Sequence, residues 1–98
     1  MTLILLTTMA MTVTAYDSAK HVGANNHWPV NDHTCAAPRS VPFGTHLFIE
    51  GVGERVVTDR LSQRFDNRID LYMGRGKESH RRARRFGKQQ HRVFIVTP

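Results

Sequence analysis

The chain has 98 residues, 40% hydrophobic and 22% charged, which is enough for one modest core and excludes both a disordered polymer and a two-domain protein. Its net charge of +6 comes mostly from arginine, 11 Arg against 3 Lys, and favours an anionic partner: nucleic acid, phospholipid or an anionic wall polymer. The single cysteine, Cys35, excludes an internal disulfide, so folding rests on packing alone.

Residues 1–11 open with Leu3-Ile4-Leu5-Leu6 and run into threonines and Ala10. They read as the remnant of a secretory signal or as an extension leading into the first strand. They lack a positively charged start and are too short for a transmembrane span. Thr12-Val13-Thr14-Ala15-Tyr16 alternates and is rich in β-formers, so the first strand is expected there. From Asp17 to Ser40 periodicity disappears, and Gly23, Asn25, Asn26, Pro29, Asn31, Asp32 and Pro38 mark a long loop. That loop holds His21, His27, His33 and Cys35, but the spacing fits no zinc pattern of closely paired ligands, so no metal is expected. Trp28, beside Pro29, is expected to lie as a lid over the core rather than as a sugar-stacking platform.

Val41-Pro42-Phe43-Gly44-Thr45 has the chemistry of a turn, with proline presetting φ and glycine permitting positive φ. A β-rich run from Thr45 to Glu50 follows. Gly51 to Glu54 then makes a hairpin connection into a strand ending at Asp59. In Arg68 to Met73 the residues alternate, with Ile69, Leu71 and Met73 on one face and Arg68, Asp70 and Tyr72 on the other. Two carboxylates, Asp59 and Asp70, thus stand on neighbouring strands joined by a polar loop. They either face one cleft or are surface charges paired with nearby arginines.

A helix is expected from Glu78 to Phe86, with an acidic first turn, arginines in the last turn and Gly87 as the stop. Ala83 and Phe86 would face the core, leaving Arg81, Arg82, Arg84 and Arg85 exposed. His91 to Val96 is the closing strand. The sum is a mainly β domain with one short helix.

Five of these pieces, in order, resemble the 3D domain, a family named for three aspartates. Thr12 to Tyr16 is similar to the family's opening T-A-Y strand, and Val41 to Thr45 to its I-P-x-G-T turn. Val57-Thr58-Asp59 is similar to the strand ending in its second aspartate. Asn67-Arg68-Ile69-Asp70-Leu71-Tyr72 is similar to the N-R-I-D-L-F strand carrying its third. Arg85-Phe86-Gly87 followed by Val93 to Val96 resembles its helix end and last strand. The eleven-residue step from Asp59 to Asp70 equals the family spacing. Two features depart from the pattern. Ala37 stands five residues before Pro42, where the first aspartate belongs. The glycine-rich loop after the second aspartate is here the bulky, cationic Arg60-Leu61-Ser62-Gln63-Arg64-Phe65.

The resemblance implies a small six-stranded double-psi β-barrel over residues 12–98, related to the barrel of MltA-type lytic transglycosylases and to RlpA. It implies cleavage of the β-1,4 bond between N-acetylmuramic acid and N-acetylglucosamine in peptidoglycan. Asp70 would be the acid and later the base, and Asp59 would orient it or bind sugar hydroxyls. Tyr16, Thr45, Arg68 and Tyr72, within the same motifs, would contact substrate. No cofactor is implied. The protein would act as a monomer, exported to the cell envelope or deployed in phage lysis. The alternatives are a non-catalytic wall-binding barrel, which Ala37 favours, and a nucleic-acid-binding module using Lys77 and the arginines from Arg81 to Arg92. Against the last, no aromatics are interleaved with the basic run.

Overall fold

The computed structural model describes residues 5–18, 23–24, 27–61 and 64–97. Six strands and one helix follow in order: β1 Leu5–Tyr16, β2 Thr34–Ala37, β3 His46–Ile49, β4 Gly53–Arg60, β5 Arg68–Tyr72, α1 Lys77–Phe86 and β6 Gln89–Thr97. The strands close into a barrel in the order β1-β5-β2-β4-β3-β6. β1 pairs with β5, and β2 with β4, in parallel; the other four pairings are antiparallel. Each strand pairs on both sides over part of its length, while Leu5–Met11 of β1 pair with β6 alone.

Alternation fills the interior. Met11 and Val13 of β1, Leu47 and Ile49 of β3, Val57 of β4, Ile69 and Leu71 of β5, and Val93 and Ile95 of β6 form one cluster, with Cys35 and Ala37 of β2 among them. The turn into β3 closes with the Thr45 N–H donating to the Pro42 carbonyl at 3.2 Å, and Gly44 takes φ 85° there. The β3–β4 hairpin forms as expected. The helix lies over one part of the barrel with Ser79 and Ala83 buried and Phe86 packed against the core. Glu78 sits in its first turn, Arg84 and Arg85 in its last, and the Gly87 N–H donates to the Ala83 carbonyl. Gly74, at φ 101°, has the Ser79 hydroxyl 2.9 Å and the Asn31 side chain 3.0 Å from where a Cβ would stand. A side chain there would collide with both.

Three expectations change. The first strand begins at Leu5, so a boundary between residues 11 and 12 falls inside β1, whose first nine residues pair with β6. Residues 1–4 lie outside the described residues. Within the stretch read as a long loop, Thr34 to Ala37 is a strand, wedged between β4 and β5 and buried at every position. Trp28 is 54% exposed with the Arg75 guanidinium 5.8 Å from its ring centre, so it is not a core lid.

Candidate functional site

Two parallel pairings and the antiparallel one between them place four residues distant in sequence side by side. Thr14 on β1 partners Asp70 on β5, Asp70 partners Ala36 on β2, and Ala36 partners Asp59 on β4. With Ile69 and Leu71 committed to the interior, Asp70 faces outward by alternation. Ala36, Asp59 and Asp70 of this row line a groove of about 330 Å³ together with Tyr16, Arg60, Leu61, Phe65 and Arg68. One strand separates the two aspartates, so their Cα positions stand about 9–10 Å apart.

The two carboxylates live in different surroundings. One Asp59 oxygen accepts N–H bonds from its neighbour Arg60 at 2.8 Å and from Ala24 at 2.9 Å, so the chain between β1 and β2 is tied to this carboxylate. Among the described residues Asp70 accepts a single side-chain bond, from the Thr14 hydroxyl at 3.1 Å. Burial pushes its carboxyl up to about 6, against the Thr14 hydrogen bond and the Arg68 charge; the Asp59 charge adds the smallest push. The distance across β2 explains why the like charge counts for little. Beside them, the Tyr16 hydroxyl is buried and without a hydrogen-bond partner among the described residues. Burial, with Asp59 and Asp70 nearby, pushes its titration far up, so it remains a donor. A buried donor with no acceptor costs roughly 1–3 kcal/mol, which an incoming oxygen would relieve.

Of the residues expected at a site, Asp59, Asp70, Tyr16 and Arg68 meet in this groove. Tyr72 does not line it; it is buried with its ring 5.1 Å from that of Tyr16, which it supports from behind. Thr45 is also absent, being buried in the turn before β3, where its carbonyl accepts the Val57 N–H. Ala37, where the resemblance expects a first aspartate, belongs to the interior cluster, and a register shift between Cys35 and Ala36 leaves Ala36 facing the groove. Thr14, Arg60 and Phe65 went unrecognised in the sequence. Thr14 had a signal, since it shares the Thr12–Thr14–Tyr16 face of its strand.

Among the described residues no three His, Cys, Asp or Glu side chains cluster as metal ligands would. His27 and His33 are exposed, His21 lies outside the described residues, and burial pushes the Cys35 thiol up to about 12.

No protein-family model matches the sequence, and no protein of curated function matches it. Solved structures do match. MltA from E. coli superposes with a TM-score of 0.67 at 24% identity, over 82% of this chain and 28% of that one. The fold is similar to that of MltA. A further crystal structure of MltA, described as revealing a unique lytic transglycosylase fold, gives 0.66 at 25% identity. MltA with bound chitohexaose gives 0.65 at 23% identity over 76% of this chain and 27% of that one. The chain spans little more than a quarter of the length of MltA, and the likeness is one of fold.

Proposed function

We propose that the groove is the active site of a lytic transglycosylase-like enzyme that cleaves the bond between N-acetylmuramic acid and N-acetylglucosamine in peptidoglycan. The observation that carries the reading is Asp70, a carboxyl raised to about 6 by burial and standing in an open groove. MltA supports it twice, as a lytic transglycosylase with this barrel and as a protein that holds a glycan, chitohexaose. The placement of Asp59 and Asp70 on one groove also supports membership of the 3D domain.

In this reading the Asp70 proton goes to the glycosidic oxygen as the bond to the anomeric carbon breaks. The C6 hydroxyl of the same muramic acid then attacks that carbon, and its proton returns to the Asp70 carboxylate. The products are a 1,6-anhydro end and a free hydroxyl, with no water consumed. One carboxyl suffices, unlike the two carboxyl groups of most glycosidases. Asp59, with one oxygen held by two N–H groups, offers its other oxygen to sugar hydroxyls. Tyr16 supplies its unpartnered O–H to a substrate oxygen. Such a substrate implies export or release at lysis.

A second reading, a wall-binding barrel without catalysis, is favoured by the absence of the family's first aspartate, Ala37 standing at its place in the motif and Ala36 between Asp59 and Asp70 in the groove. The test is product release from purified sacculi, read by mass spectrometry. Anhydro-muropeptides from the parent, reduced roughly 100- to 10,000-fold in Asp70→Asn, are expected. Binding to sacculi without product from either protein would leave the wall-binding reading.

A further inference from the structure

The walls of the Asp59–Asp70 groove carry two arginines, Arg60 at the end of β4 and Arg68 at the start of β5. Each lies against a phenylalanine. The Arg60 guanidinium carbon is 3.9 Å from the centre of the Phe43 ring, and that of Arg68 is 4.0 Å from the centre of Phe65. Arg64 approaches Phe65 as well, at 4.7 Å. Stacking occupies the flat face of a guanidinium and restricts its rotamers while leaving the N–H groups at its edge to bind something else. Arg60 gives one of those to the Pro38 carbonyl at 3.3 Å.

Neither of these two groove arginines takes part in an ion pair among the described residues, unlike three arginines elsewhere. Elsewhere Arg82 reaches Asp32 at 3.0 Å, Arg55 reaches the same carboxylate at 4.0 Å, and Arg81 reaches Glu78 at 3.4 Å. Among the described residues neither Arg60 nor Arg68 has a carboxylate within 4.0 Å. The acids of the groove act on these arginines only at a distance, Asp70 on Arg68 and Asp59 on Arg60, while among the described residues their hydrogen bonds go to backbone N–H groups at Asp59 and to Thr14 at Asp70. Two braced guanidinium groups on one groove, with no ion pair among the described residues, are arranged for an anion, and the flat fork of arginine suits a carboxylate in particular.

Resting on the reading of the groove as a glycan site, we propose that Arg60 and Arg68 recognise a carboxylate on the substrate strand. The groove therefore takes muramic acid-containing glycan in preference to a neutral N-acetylglucosamine oligomer. The carboxylate has two sources. A peptide-free strand exposes the lactyl carboxylate of muramic acid, and a peptide-bearing strand converts that group to an amide but adds the carboxylates of the stem peptide.

Calorimetric titration of the Asp70→Asn protein, whose turnover should be slow enough not to disturb the measurement, tests this with chitohexaose, peptide-free strands and peptide-bearing strands. A carboxylated strand should bind roughly tenfold tighter than chitohexaose at low salt, the scale of one charge-assisted hydrogen-bonded pair, and the advantage should shrink as salt rises. Preference for peptide-free strands assigns the carboxylate to the lactyl group; preference for peptide-bearing strands assigns it to the peptide. Adding Arg60→Gln or Arg68→Gln, each checked for folding by circular dichroism, should remove most of the advantage, lowering affinity for the carboxylated strand several-fold more than affinity for chitohexaose. Equal affinity for charged and neutral glycans at all salt concentrations, a result that needs no arginine variant, overturns the clamp and leaves the glycan reading standing. Arginine variants that weaken every glycan alike also overturn it. Binding to none of the three overturns the glycan reading and the clamp together.

Discussion

The two sides of the barrel are built by different rules. On one side β6 runs between β3 and the first part of β1, antiparallel to both, with nine consecutive partners along β1 and four along β3. Its inner face is Met11, Leu47, Ile49, Val93 and Ile95, and its outer face shows Leu6 and Phe48 to solvent. On the other side, β5, β2 and β4 and the second part of β1 pair over shorter spans, two of the three pairings parallel, one with a register shift. Antiparallel neighbours can be close in sequence, whereas parallel neighbours need a long connection. The mixed side is therefore where residues 14, 36, 59 and 70 meet, and where the polar chemistry gathers. The regular side closes the barrel; the irregular side composes the groove.

If that division holds, stability and activity should separate by mutation. The largest expected effect is on the groove side, where Asp70→Asn should reduce product release roughly 100- to 10,000-fold without lowering the melting temperature. The counterpart is Leu47→Ala on the regular side. Leu47 is 0% exposed, and emptying such a site costs roughly 2–5 kcal/mol. Chemical denaturation should show that loss, while activity per folded molecule stays within about twofold. Inactivity of the folded Leu47→Ala protein would mean that the two sides are not separable.

A smaller effect sharpens the same point from the opposite direction. The Asp70 carboxyl is raised from an ordinary 3.8 to about 6, chiefly by burial. Below pH 4 it is protonated in both folded and unfolded chains and contributes nothing. Between pH 4 and 6 the unfolded chain ionises first, so the folded state loses stability as pH rises, and above pH 6 the penalty is constant. At about 1.4 kcal/mol per pH unit, discounted for solvent reaching the groove, the penalty is on the order of 2 kcal/mol. Asp70→Asn should therefore be more stable than the parent by about that amount at pH 7 and equal to it at pH 3.5, as urea denaturation at both values would reveal. Equal stability at pH 7 would show that burial does not strain this carboxyl.

The same division explains what the sequence made legible. The alternation of Ile69 and Leu71 against Arg68 and Asp70 was readable because β5 is buried on one face and polar on the other. The glycine-marked β3–β4 hairpin and the helix stop at Gly87 are equally local signals. β2 was not readable, since Thr34-Cys35-Ala36-Ala37 is buried at every position and made of small residues, leaving no period to detect. The start of β1 at Leu5 was missed because Leu6 lies outside the barrel at 62% exposure, so the apolar opening showed no face committed to a core. Counting back from Pro42 reached Ala37, but the shift at Cys35/Ala36 hands the groove position to its neighbour. Thr14 as partner of Asp70 requires a register spanning 56 residues, which no local pattern encodes.

The smallest expected effect concerns arginines lying away from the groove. Arg84 and Arg85 occupy the last turn of α1, both exposed, while Ser79 and Ala83 carry the buried face. Their charges meet the partial negative end of the helix, a favourable contact of a few tenths of a kcal/mol that salt screens. Alanine forfeits that contact but is the better helix former, so the two changes nearly cancel. The double variant Arg84→Ala/Arg85→Ala should shift stability by about 0.5 kcal/mol or less by denaturation. It should also leave the preference for carboxylated over neutral glycan unchanged, in contrast to Arg60 and Arg68. A loss of several kcal/mol would make these arginines structural. Loss of the glycan preference would move the anionic contact from the groove wall to the helix.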